Sequence, residues 1–137
     1  MATPQILIVD DESIVAKSLQ AQLTRLGYIV SAIVSSGEEA IQKAAELHPD
    51  LVLMDIMLKG TIDGIEAAKR ILARATIPII YATAYTDQET FNRAKATEPS
   101  GYLIKPFGKE ELQTAIQVAL NKPSSRPSVQ PGGRALA

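Results

Sequence analysis

The chain has 137 residues, 46% hydrophobic and 21% charged, with fourteen basic side chains against fifteen acidic ones and no cysteine. That is the length of one domain with a single core, and it excludes disulfides, zinc thiolate sites and thiol chemistry. The scattered, nearly balanced charge offers no basic stripe for a phosphate backbone, so direct nucleic-acid binding is not expected, and no apolar run approaches the roughly 20 residues that cross a bilayer.

Met1-Ala2-Thr3-Pro4 leads into an apolar run with no signal-peptide pattern, so a cytoplasmic protein without a membrane partner is expected. Ile6-Leu7-Ile8-Val9 runs apolar without alternation, the pattern of a strand buried on both faces. From Glu12 to Leu26, Val15, Leu19, Leu23 and Leu26 recur at helical spacing, and Gly27 follows as a stop. Tyr28 to Val34 predicts a second strand. Ser36 with Glu39 forms a capping box before the helix carrying Ala40, Ile41, Ala44, Ala45 and Leu47, which Pro49 ends.

Leu51-Val52-Leu53-Met54 is a third buried strand and stops at the carboxylate of Asp55. A glycine-containing loop, 56–62, leads to a second capping box, Asp63 with Glu66, and to a helix with Ile65, Ala68, Ile71 and Leu72. Ile77 to Ala82 predicts a fourth strand, with Pro78 near its start where the missing amide is tolerated. Thr86 with Glu89 predicts the cap of a more polar helix ending before Pro99. Tyr102-Leu103-Ile104 is a short fifth strand, and a last helix from about Lys109 to Leu120 puts Leu112, Ala115, Ile116, Ala119 and Leu120 on one face, with Gly108 at its cap.

Five alternations of strand and helix with right-handed crossovers give a doubly wound α/β domain. Its five-stranded parallel sheet takes the flavodoxin-like order 2-1-3-4-5. From Pro123 onward, three prolines, three serines and two glycines fall among the last fifteen residues. The domain is therefore expected over 1–122, with 123–137 a disordered tail or linker stub.

In that strand order the first and third strands are neighbours, and ligands bind beyond their carboxyl ends. Asp10, Asp11 and Asp55 then converge. A single Asp after a strand commonly just starts a loop, and Asp10 or Asp11 could cap the helix near Glu12. Capping, however, leaves Asp55 unexplained. Three close carboxylates repel unless a cation sits among them, and a set of hard oxygens suits Mg²⁺. Thr83, followed by the small Ala84, ends the fourth strand and Lys105-Pro106 ends the fifth, which brings a hydroxyl and an ammonium to the same edge. A carboxylate, a metal, a donor and a cation meet the needs of phosphoryl transfer, which is mostly positioning and charge neutralisation. The chemistry would be attack of the Asp55 carboxylate on phosphorus, giving an aspartyl phosphate.

Four stretches, Ile6 to Glu12, Leu51 to Met57, Ala82-Thr83-Ala84 and Gly101 to Phe107, resemble the motifs of the receiver domains of two-component response regulators. The resemblance covers about residues 5 to 121. It implies that Asp55 is the phosphoacceptor, Asp11 a direct Mg²⁺ ligand, Asp10 a ligand largely through water, and the Met57 carbonyl a further ligand. It also implies that Lys105 pairs with the phosphoryl group, that Thr83 and Tyr102 move together as the switch, and that the Lys105-Pro106 bond is cis.

The function so implied is a phosphorelay switch rather than an enzyme on other substrates, catalysing only its own phosphorylation and dephosphorylation. Its phosphoryl donor would be a sensor histidine kinase or a histidine phosphotransfer protein. Its output would be a downstream protein or a homodimer bound through the face of the fourth helix, fifth strand and fifth helix, in a stand-alone receiver or a piece of a larger protein. An aspartyl-phosphate phosphatase fits less well, because the place two residues after Asp55 is Met57, which is no general acid. A flavin or nucleotide module fits less well, because the aspartates repel an anionic phosphate. His48, the only histidine, is expected at the opposite end of the third strand from Asp55, and Gly60 and Gly64 match no phosphate-binding fingerprint.

Overall fold

Two central strands hold the domain together, β1 (Gln5–Val9) and β3 (Leu51–Met54), paired in parallel from Ile6 opposite Leu51 to Val9 opposite Met54. The structure is a computed structural model and describes residues 3–84 and 87–121. All of β3 is buried, as its unbroken apolar run requires. Around this pair lie β2 (Ile29–Val34), β4 (Ile79–Thr83) and β5 (Gly101–Ile104), giving one parallel sheet in the order β2-β1-β3-β4-β5.

Because side chains alternate across a strand, the sheet feeds two cores. Ile6, Ile8, Leu51, Leu53, Ile80 and Leu103 pack against α1 (Ser13–Arg25) and α5 (Lys109–Asn121). Leu7, Val9, Val52, Met54, Ile79 and Tyr81 pack against α2 (Gly37–Leu47), α3 (Gly64–Leu72) and α4 (Gln88–Lys95). The doubly wound α/β class and strand order expected from the sequence are thus observed. The segment 123–137, expected to be a tail, lies outside the described residues.

The helix ends follow their caps with two differences. Ser36 Oγ accepts the Glu39 amide at 3.1 Å, and Asp63 Oδ1 accepts the Glu66 amide at 2.9 Å, as expected. Gly27, at φ +96°, closes α1: its amide reaches the Thr24 carbonyl while the Tyr28 amide reaches that of Leu23. The expected cap at Thr86 is corrected: that residue lies outside the described set, and α4 begins one residue later than a Thr86 cap places it, with Asp87 accepting the Thr90 amide at 3.0 Å. At α1 the cap residue is Glu12, whose side chain makes no capping bond. His48 ends α2 with a left-handed backbone at φ +49°, just before β3 and at the far end of that strand from Asp55.

Leu53 is 1% exposed between β1, β4 and the α1 and α5 side of the core. Replacing it with Ala should lower unfolding free energy by about 3 kcal/mol, read as a lower urea midpoint at unchanged slope.

Candidate functional site

Backbone pairing continues past the strand ends and sets the site. The Asp10 amide bonds the Val34 carbonyl at 3.0 Å, the Asp55 amide that of Val9 at 2.9 Å, and the Lys105 amide that of Thr83 at 2.9 Å. Each residue that ends an apolar run is therefore held at the carboxyl edge by its neighbouring strand. The Lys105-Pro106 peptide is cis.

Lys105 Nζ donates to Asp10 Oδ2 at 2.8 Å and to Asp55 Oδ2 at 3.2 Å. The other oxygens take backbone amides: Asp10 Oδ1 accepts that of Glu12 at 2.9 Å, and Asp55 Oδ1 that of Ile56 at 2.8 Å. Asp10 and Asp55 are buried, whereas Asp11 is partly exposed. One ammonium thus faces three carboxylates. Among the described residues the Asp11 carboxylate has no hydrogen bond or ion pair.

Burial pushes the Asp55 carboxyl above its usual range, and the Asp10 charge pushes the same way, against the pull of Lys105. For Lys105, burial alone would lower the ammonium, but the hydrogen bond to Asp10 and the charges of Asp55 and Asp10 outweigh it and hold it above the ordinary value. Burial thus dominates at Asp55, whereas the neighbouring carboxylates together dominate at Lys105.

Asp10, Asp11 and Asp55 each offer an oxygen within 4.8 Å of the others. All three donors are hard anionic oxygens, with Asp11 uncommitted, which fits a divalent cation of the Mg²⁺ kind. Met57 lies in the loop just beyond Asp55, its side chain 48% exposed. Thr83 is fully buried at the end of β4. Tyr102 on β5 is half-buried, its ring 6.0 Å from that of Tyr81 and 5.2 Å, edge on, from that of Phe91.

Several contacts around the site were not legible in the sequence. Gly64 packs so tightly that a methyl group there would overlap the Asp55 carbonyl oxygen, and its amide bonds the Ile56 carbonyl at 2.7 Å. Only glycine lets α3 start against the Asp55 backbone. Asp63 uses its second oxygen to accept Arg93 of α4 at 2.9 Å, and Phe91 is the ring that brackets Tyr102. None of these is marked by periodicity; the nearest signal was Asp63-Gly64, a cap followed by a glycine where most helices have a side chain.

A doubly wound sheet in this order, with three aspartates and a lysine gathered at its switch point, defines a receiver-type domain. The chain belongs to the response regulator receiver domain family, whose model matches residues 6–117. It is similar to the transcriptional regulatory protein PdtaR of Mycobacterium tuberculosis, 35% identical over 119 residues, which are 86% of this chain and 57% of that protein. It is 35% identical over 122 residues to the transcriptional regulatory protein ResD of Bacillus subtilis, covering 88% of this chain and 49% of the relative. The chain thus spans about half the length of these relatives. Among solved structures, the signal receiver domain of a modulated diguanylate cyclase from Desulfovibrio desulfuricans G20 is 44% identical at a TM-score of 0.82, covering 87% of this chain and 94% of that one. A CheY-like receiver domain protein from Methanospirillum hungatei JF-1 is 26% identical at a TM-score of 0.80, covering 88% and 95%. Among the described residues no helix is long and apolar enough to cross a membrane.

A carboxyl whose folded-state pKa is raised costs stability above that value, and the cost fades as pH falls through it toward the unfolded value. Metal-free Asp55→Asn protein should therefore melt higher than wild type at pH 7, with the difference shrinking as pH is lowered into the carboxylate range. A lower melting temperature for the variant at pH 7 would show that the Lys105 attraction outweighs burial.

Proposed function

We propose that the chain is a phosphorylation-dependent switch that accepts a phosphoryl group on Asp55 from a histidine kinase or histidine phosphotransfer protein and alters a protein-binding face. The observation that carries this reading is the Lys105 ammonium bridging Asp10 and Asp55 while Asp11 stays uncommitted. Asp10, Asp11, Asp55 and the Met57 carbonyl would hold Mg²⁺, which neutralises charge on the transferred oxygens. In the transfer an Asp55 oxygen forms its bond to phosphorus as the bond from phosphorus to the donor nitrogen breaks. Lys105 follows the charge: its ammonium turns from the Asp55 carboxylate to a phosphoryl oxygen. The domain acts only on itself in this reading, and it belongs in the cytoplasm with its donor.

Access and output have separate supports. A groove of about 350 Å³ opens beside Lys105 between Ile14, Val15 and Leu19 of α1 and the Pro106-Phe107 step, and Ile14 at its rim is 83% exposed. That is an apolar seat for a donor helix next to the reacting carboxylate. On the other side Phe91, Ile104 and Val118 stand 38%, 43% and 50% exposed on α4, β5 and α5, a surface for a downstream protein or a second copy. Thr83 is the buried hydroxyl nearest this route, and its movement toward a phosphoryl oxygen would vacate space for the Tyr102 ring.

Incubation with acetyl phosphate and Mg²⁺ should add one phosphoryl group by intact mass, and EDTA or Asp55→Asn should abolish it. A gain of mass by the Asn variant would move the acceptor elsewhere.

Beryllofluoride with Mg²⁺ should shift amide resonances at Thr83, Tyr102 and across α4, β5 and α5. Shifts confined to the loops at Asp10, Asp55 and Lys105 would separate the site from that face.

A further inference from the structure

Away from the aspartates, the start of α2 grips the loop that joins β3 to α3. Glu38 Oε2 accepts the Thr61 amide at 3.0 Å and the Thr61 hydroxyl at 2.6 Å. Gly60 turns at φ +97°, and a side chain there would strike the Glu38 carboxylate. Ser36 forms a parallel bridge with Lys59. Ile62 lies over Gly37, where a Cβ would come within 2.7 Å of Ile62 Cγ1. Three consecutive residues, Ser36, Gly37 and Glu38, thus meet four consecutive ones, 59–62. The Thr61 hydroxyl, first among several hydrogen bonds, holds the Glu38 carboxyl below its usual range, so the grip is charge-assisted at neutral pH.

The base of the same loop is closed by the Gly64 amide on the Ile56 carbonyl at 2.7 Å. Met57 lies between that closure and the clamp, so its carbonyl can point toward the aspartates only as the two anchors allow. Groups that orient metal ligands without touching the metal commonly change affinity by about 10- to 100-fold. We propose that Glu38 is a positioning residue of the metal site: through Thr61 it fixes the loop that presents the Met57 carbonyl, and so sets the affinity for Mg²⁺ without contacting it. This rests on the Mg²⁺ reading of the preceding section.

Calorimetric Mg²⁺ titration of the whole chain tests it, with wild type, Glu38→Ala, Glu38→Gln and Thr61→Val. Glu38→Ala should weaken binding about tenfold. Glu38→Gln, whose carboxamide oxygen can accept the same two bonds without the charge, should weaken binding less than Ala, and Thr61→Val, which loses only the hydroxyl bond, should also fall between wild type and Ala. Unchanged affinity in Glu38→Ala overturns the clamp while leaving the metal site standing. Equal weakening by Ala and Gln also overturns it, since the lost charge rather than the lost bonds would then be responsible. A wild type that takes no Mg²⁺ overturns the metal reading and the clamp together. Amide exchange without metal gives the second measurement: in Glu38→Ala it should quicken at 59–62 alone, and a rise across the whole domain would mark Glu38 as a general stabiliser and sink the assignment.

Discussion

The structure depends on one cation placed against too much negative charge. Lys105 bonds Asp10 and Asp55 together, and the rest of the site follows from getting that ammonium there. β5 lies two strands from β3, a separation of roughly 10 Å between backbones, so the lysine stem must pass over the end of β4. It does so where β4 closes with Thr83 and the small, exposed Ala84. Burial supplies the rest of the tension: it makes the Asp55 charge expensive to hold, and with Asp11 left over, the site is under-compensated by design of its sequence. Such an arrangement could hold a second cation among Asp10, Asp11 and Asp55.

From this edge two physical routes lead toward α4. One is the sheet itself, since Thr83 and Tyr81 share a face of β4 and Tyr81 meets the Tyr102 ring, which meets Phe91. Tyr81 is a fixed point on that route. Its hydroxyl pairs with that of Thr97 at 2.8 Å, and burial above all pushes its pKa up to about 12, so it stays a neutral phenol at physiological pH. The other route is electrostatic. Asp63 caps α3 with one oxygen and holds Arg93 of α4 with the other, so the helix that starts against the Asp55 backbone is tied to the helix whose Phe91 meets Tyr102. Movement of α4 must either keep that pair or break it.

The sequence was most informative where burial on both faces wrote unbroken apolar runs and where a carboxylate or lysine ended one. Ile6 to Val9 and Leu51 to Met54 gave the central strands, and their terminal aspartates with Lys105 gave the cluster, because a parallel sheet aligns strand ends without further instruction. Capping boxes at Ser36 and Asp63 were equally legible, being local chemistry. The boundary of α4 was missed because Asp87 and Thr86 are both acceptable caps by residue type, and it is Asp87 that accepts the Thr90 amide. Gly64, Glu38, Phe91 and Arg93 were illegible for a common reason: their roles are contacts between elements distant in sequence, and a glycine that permits close approach looks like any glycine until its neighbour is known.

The bonds that make the site are far apart along the chain, Lys105 lying 95 residues from Asp10 and 50 from Asp55. Contacts of such separation form late, because the intervening loops must be closed before they bring any reward. On a ribosome the aspartates emerge before the lysine, so an unfinished molecule carries the acidic residues without their counter-ion. Assembly of the charged cluster is in this way bound to completion of the sheet: a truncated or half-folded copy holds the Asp55 carboxylate but not the lysine that faces it.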